Sequence, residues 1–193
     1  MRKNPEITAM TKQAFIDAFC LLSQGKTTEK ITVRELSVRA GYNRCTFYQY
    51  FSDVYAVLET IEDRVAAQVK ENFRVAIEPE DFGKTFLNAF KRIHREQAPY
   101  FDLLLRPANR ARFSEKLIAE VGPILTARFH LPPEDERSGL LTELYLSTAL
   151  AAVARWIKSG RKLPLPEFSA LLRDVLSSGV LPAMRKQTKN KLP

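Results

Sequence analysis

Apolar residues recur along the chain at three- and four-residue spacing, and no stretch alternates strictly between apolar and polar, so the pattern predicts helices throughout. A first helix is expected from about Glu6 to Ser23, stacking Ala14, Phe15, Ala18, Phe19 and Leu22 on one face. Gln24-Gly25-Lys26 ends it, with Gly25 suited to a left-handed cap. Thr32 followed three residues later by Glu35 is a capping box, in which side chain and backbone satisfy each other's orphan donors at a helix start. Val33, Leu36 and Ala40 form the inner stripe of that second helix, and Gly41 closes it. Asn43 caps a third helix from Arg44 to about Tyr50, and Ser52 or Asp53 caps a long fourth one reaching Val75.

Pro79 marks a break, after which helices are expected near 82–95, 99–106, 110–129, 138–159 and 166–184. Pro99, Pro107, Pro132-Pro133, Gly160, Pro164 and Pro166 punctuate them, and Pro123 implies a kink or split in the segment it occupies. The expectation is an all-α chain. Residues 1–55 are expected to form a three-helix domain, and a long helix to lead into a second helical domain over 56–193.

The chain has 193 residues, 45% hydrophobic and 27% charged, which allows a real core. Its formal net charge of +8 suits a polyanionic partner. Residues 1–55 carry a surplus of three positive charges. Most of the remaining surplus comes from Arg185, Lys186, Lys189 and Lys191 near the end. Two cysteines, Cys20 and Cys45, exclude a disulfide framework and fit a reducing compartment. The opening MRKNPEITAM lacks the apolar core of a signal peptide, and the uncharged apolar run Leu144–Ala154 is shorter than the ~18–20 residues a bilayer demands. A cytoplasmic protein without membrane attachment is expected.

Two short helices joined at Gly41 are what a helix-turn-helix requires. On a wheel of about 100° per residue, Phe47 and Phe51 lie together and face inward. Cys45 and Gln49 then point away, flanked by Thr46 and Tyr48, and Arg44 sits in the first turn. Such a face suits a major groove: Arg44 matches a guanine edge and Gln49 an adenine edge. The hydroxyls of Thr46, Tyr48 and Tyr50 suit phosphate oxygens, as does Thr32 with the helix start behind it. The alternative is a solvated face on a generic helical bundle.

The segment ITVRELSVRAGYNRCTFYQYFSDVYAVL resembles the DNA-binding segment of the TetR/AcrR family of transcriptional regulators. The matching elements are ITVREL at the helix start, RAG at the turn, TFY in the recognition helix and YF at its end, within a resemblance covering about residues 5–60. It implies a helical homodimer with an N-terminal DNA-binding domain and a C-terminal domain for dimerisation and ligand binding. By position it implies that Thr32, Arg44, Cys45, Thr46, Tyr48, Gln49 and Tyr50 contact DNA, with Tyr42 a further candidate. Cys45 stands where the family often has a small residue such as glycine, and Val54 where many members carry lysine. Arg2, Lys3 or Lys26 would then supply compensating phosphate contacts.

In the C-terminal half, Leu140–Ile157 is apolar nearly all round, and Phe168, Leu171, Leu172, Val175, Leu176 and Val180 make a second stripe. The helices near 138–159 and 166–184 are therefore expected to pair with their copies as a four-helix bundle, the alternative being ordinary core in a monomer. A small-molecule effector would lie among Phe86, Phe90, Tyr100, Phe101, Leu104 and Trp156. His94 and His130 have no nearby acidic or sulfur partner, so no metal is expected, and no cofactor.

The DFG at 81–83 lacks the other kinase elements, and no nucleophile–base pair or phosphate loop points to an enzyme. The outward thiol of Cys45 raises redox sensing as a side option. The expected function is a ligand-responsive repressor, acting as a dimer on a pseudo-palindromic operator. The alternative is a DNA-bound interaction protein that recruits or blocks a protein partner without sensing a small molecule.

Overall fold

The computed structural model describes residues 5–75 and 82–179, and within them the regular structure is helical. The helices are α1 (Pro5–Leu22), α2 (Val33–Ala40), α3 (Arg44–Tyr48), α4 (Val54–Val75), α5 (Phe82–Leu104), α6 (Pro107–Arg128), α7 (Glu136–Lys158) and α8 (Leu165–Ser178). A 3-10 turn at Thr28–Lys30 precedes α2. The chain divides into two compact units, Met1–Val65 and Ala66–Pro193, so that α4 begins in the first and ends in the second.

In the first unit, α1 packs on α2 and α2 on α3. Phe15, Ile16, Phe19, Leu36, Phe47, Phe51, Val57 and Leu58 are buried there, drawn from the apolar faces that the spacing predicts. The capping box is present: Glu35 N–H donates to Thr32 Oγ1 at 3.2 Å, and Thr32 N–H donates to Glu35 Oε2 at 3.1 Å. Gly41 ends α2 at φ 77°, a left-handed conformation that only glycine adopts cheaply, and Tyr42 N–H closes back on Ser37 O at 3.0 Å. Asn43 caps α3, and of the two candidates for α4 it is Asp53 that accepts from Ala56 N–H, at 2.9 Å.

Two details differ from expectation. Gly25 is not left-handed: the chain leaves α1 through tightening turns, with Gly25 and Lys26 N–H both donating to Leu22 O at 3.2 Å. The third helix stops at Tyr48, not Tyr50, because Gln49 N–H reverts to a three-residue bond with Thr46 O.

In the second unit α6 lies against α7, while α5 and α7 both pack on α8. Phe101 meets Phe113 edge-on at 6.2 Å, and the Trp156 ring stacks on Phe168 at 4.7 Å. Trp156 Nε1–H donates to Leu163 O at 2.7 Å, and the Arg161 guanidinium clasps both Asp102 oxygens at 2.5 and 2.7 Å, fastening the α7–α8 turn to α5. The helices expected at 82–95 and 99–106 are both present within α5, separated by a kink where Gln97 leaves helical geometry ahead of Pro99. The next helix begins at Pro107, three residues earlier than expected, because proline is well suited to a first helical position. It runs through Pro123 without the split that proline suggests.

By length and composition α7 alone among the described helices could cross a membrane, with a mean hydropathy of 1.2. Leu146, Ala149, Leu150, Val153, Ala154 and Trp156 nevertheless commit much of it to the core of this unit. Val180 and the basic end of the chain lie outside the described residues.

Candidate nucleic-acid interface

An aromatic cluster sets the position of the short α3. Phe15 from α1 is fully buried and meets Phe47 at 5.3 Å and Phe51 at 6.0 Å, both edge-on. Phe47 and Phe51 lie 5.6 Å apart, and the Tyr42 ring closes the cluster 5.5 Å from Phe15. With Phe47 pinned inward, Arg44, Cys45, Tyr48 and Gln49 are exposed, as the wheel predicts. Tyr42 is exposed beside them, while Thr46 and Tyr50 are half-buried.

The hydrogen bonds sort these residues further. Asn43 Oδ1 accepts from both Thr46 N–H, at 2.8 Å, and Thr46 Oγ1–H, at 3.1 Å. Thr32 Oγ1–H is directed to Glu35 Oε2 at 3.0 Å. Both threonine hydroxyl protons therefore serve helix caps. At the start of α2 the open donors are the backbone N–H groups of Val33 and Arg34, the unpaired groups that every helix leaves in its first turn.

Lys26 pairs with Glu35, tying the turn after α1 to the start of α2. That contact, followed by the Thr32 bonds, holds the Glu35 carboxyl down to about 2. The lysine considered as a compensating phosphate contact is thus engaged within the domain. Among the described residues no ion pair engages Arg34, Arg39 or Arg44, and all three are exposed. Arg34 was not singled out by the sequence pattern, although a signal exists. A cation in the first turn of a helix opposes the helix dipole, so its presence there calls for a partner outside the helix. Val54, in the lysine position of many family members, is buried.

The two short capped helices thus leave three cations, a carboxamide, a phenol and a thiol exposed, with α3 braced by Phe15. Comparison of the sequence matches no protein-family model and no curated protein. Solved structures do match in shape. A TetR-family transcriptional regulator from Streptomyces coelicolor aligns with a TM-score of 0.63 at 18% identity, over 93% of this chain and 84% of that one. FadR, the fatty acid degradation regulator of Bacillus halodurans, aligns at 0.64 and 16% identity over 93% and 98% of the two chains. SmeT, the repressor of the Stenotrophomonas maltophilia multidrug efflux pump SmeDEF, aligns at 0.64 and 16% over 86% and 87%. The fold is that of the TetR-family regulators.

Four of the six residues expected around an effector have described side chains. Phe101, Leu104 and Trp156 are buried in ring and helix packing, and Tyr100 is half-buried. The side chains of Phe86, Phe90 and His94 lie outside the described residues. His130 is exposed, and no group of three or more metal-ligating side chains occurs among the described residues. The second unit carries an open groove of about 480 Å³ lined by Phe73, Arg74, Pro123, Ile124, Ala127 and Arg128, none of them among those six. Cys20 is half-buried and Cys45 exposed, and neither is in a disulfide.

Proposed function

We propose that this chain is a TetR-family, sequence-specific DNA-binding transcriptional regulator, a cytoplasmic dimeric repressor released from its operator by a small molecule. The observation that carries the proposal is the outward face of α3. Arg44, Tyr48 and Gln49 project from a helix whose inner side is locked by Phe15, Phe47 and Phe51. Arg44 reads a guanine edge and Gln49 an adenine edge, while Cys45 offers a small apolar surface to a thymine methyl. Tyr42, Tyr48 and Tyr50, the α2 start at Thr32 and the cation Arg34 hold phosphates, and Thr46 keeps α3 capped while it lies against the backbone.

Dimerisation is supported by the apolar surface that α7 and α8 leave uncovered. Leu140 and Leu144 are each 55% exposed one turn apart on α7, with Leu141 beside them, and Leu171 is exposed on α8. Pairing these faces about a two-fold axis would set two recognition helices against half-sites about one DNA turn apart. An effector that binds the second unit more tightly in one conformer shifts the population away from the DNA-binding one.

Fluorescence anisotropy with DNA fragments flanking the protein's own gene, over a salt series, tests this. The wild type should bind a discrete site with a steep salt slope, and an Arg44→Ala, Gln49→Ala double variant should lose preference for that site. Equal, weak binding of all fragments by both proteins would refute sequence reading by α3.

A further inference from the structure

The groove of the second unit lies between the end of α4 and the end of α6, and its volume of about 480 Å³ is that of a small-molecule site. Phe73, 5% exposed, forms its floor, and Pro123, Ile124 and Ala127 add apolar surface from α6. Arg74 and Arg128 line the same groove, one from each helix, and both are exposed. One turn before the groove on both helices, Lys70 Nζ–H donates to Glu120 Oε2 at 2.6 Å, so that carboxylate is already met. Arg74 is held only loosely by Glu71 at 4.0 Å, between largely exposed side chains, a kind of pair that contributes little. Among the described residues no ion pair engages Arg128. Its place in the last turn of α6 suits the helix dipole but leaves its charge unneutralised. Pro123 points the same way. A proline inside a helix forfeits a backbone bond, and this one is exposed, so its apolar ring is offered to the groove and not to the core.

We propose that this groove is the effector site, and that the effector is a hydrophobic monocarboxylate. Its apolar body lies on Phe73, Pro123 and Ile124, and its carboxylate accepts the paired N–H donors of Arg128, with Arg74 turning from Glu71 to join them. Lys70 answers Glu120 and Glu71 answers Arg74, so Arg128 leaves one positive charge over, which matches a monoanion. A neutral alcohol would leave that charge unmet, and an ammonium would be repelled by it. Helix α4 carries Phe73 and Arg74 and begins in the first unit, so a ligand drawn against these residues acts on a helix that both units share. This deepens, and rests on, the ligand-responsive function proposed above.

Isothermal titration calorimetry on the full chain, with octanoate, 1-octanol and acetate as probes, tests this. Octanoate should bind at least about tenfold more tightly than 1-octanol, the effect of a hydrogen bond to a charged group. Acetate, which lacks the apolar body, should give no binding heat. Arg128→Gln should bring octanoate down to the level of 1-octanol and leave 1-octanol unchanged. Ala127→Trp fills the groove with both arginines in place and should abolish binding of both probes. Both positions are exposed, so helical content should match the wild type by circular dichroism. Equal affinity for octanoate and 1-octanol, no octanoate binding, or octanoate binding that survives both substitutions would overturn the proposal. Operator binding measured on the same samples separates the two proposals. An intact operator complex in a protein that takes up no octanoate rejects the groove site alone. Octanoate bound with the operator complex undisturbed rejects its role as effector. Octanoate binding with both variant effects, in a protein that reads no operator, supports the site and rejects the regulator.

Discussion

The Phe15 ring meets the Phe47 ring nearly edge-on, with 5.3 Å between centroids and 83° between planes, and neither ring is exposed. One residue comes from α1 and the other from the five-residue α3, which is too short to be stable without tertiary support. The pair therefore converts a marginal helix into a rigid platform for Arg44 and Gln49. Phe15→Ala should destabilise the protein by about 3–5 kcal/mol, read from denaturant unfolding, because it removes a ring from a closed core. The milder Phe47→Leu should cost less in stability yet weaken operator binding measurably. Operator affinity unchanged in a folded Phe47→Leu protein would show that α3 is held by other means.

Arg34 offers a separate test. It is exposed in the first turn of α2, where the helix dipole disfavours a cation. If its partner is a DNA phosphate, Arg34→Ala should weaken binding by about the same factor on every DNA sequence and reduce the salt slope by about one. Thermal stability should hold or rise slightly. A loss confined to one sequence position would instead assign Arg34 to base reading.

How much of this face was legible in the sequence follows from which interactions are local. The Thr32–Glu35 box, the Gly41 closure and the Asn43 cap each depend on residues within three or four positions, and each is where the sequence puts it. Gly25 misleads because a helix can also end by tightening its last bonds, with no left-handed residue. Pro99, by contrast, marks a true break, with Gln97 leaving helical geometry just ahead of it. The effector candidates Phe86, Phe90, Tyr100, Phe101, Leu104 and Trp156 rest on apolar character and helical spacing alone. Spacing cannot distinguish a ring that lines a cavity from one stacked on another, as Trp156 is on Phe168.

Glu35 gives the DNA-binding unit a pH dependence of definite sign. Folding lowers its pKa from 4.5 to about 2, first through Lys26 and then through Thr32. The unfolded chain therefore takes up the proton before the folded one does. The contribution is complete above about 4.5 and is lost as the pH falls towards 2. Glu35→Gln preserves the capping geometry but not the charge. The melting-temperature gap between wild type and Glu35→Gln should be widest near neutral pH and close between 4.5 and 2. A gap that stays constant over that window would mean that Lys26 contributes nothing through charge.

The exposed leucines of α7 give the last prediction. Leu140 and Leu144 stand one turn apart, with Leu141 alongside, and Leu171 of α8 is also uncovered. Isolated surface leucines are ordinary, but a cluster on one helix face costs solvation free energy unless a partner covers it. Burying a leucine side chain yields about 1.5–3 kcal/mol, and a two-fold axis counts each leucine twice. Leu140→Glu with Leu144→Glu would instead bring four carboxylates into an apolar seam across the dimer. Sedimentation equilibrium should show a dimer for the wild type and a monomer for the double variant, with helical content preserved. Operator affinity should fall sharply alongside, because one recognition helix cannot span two half-sites. A variant that stays dimeric would move the interface elsewhere on the second unit, and a wild type that is monomeric at micromolar concentration would remove the two-fold operator from the proposal altogether.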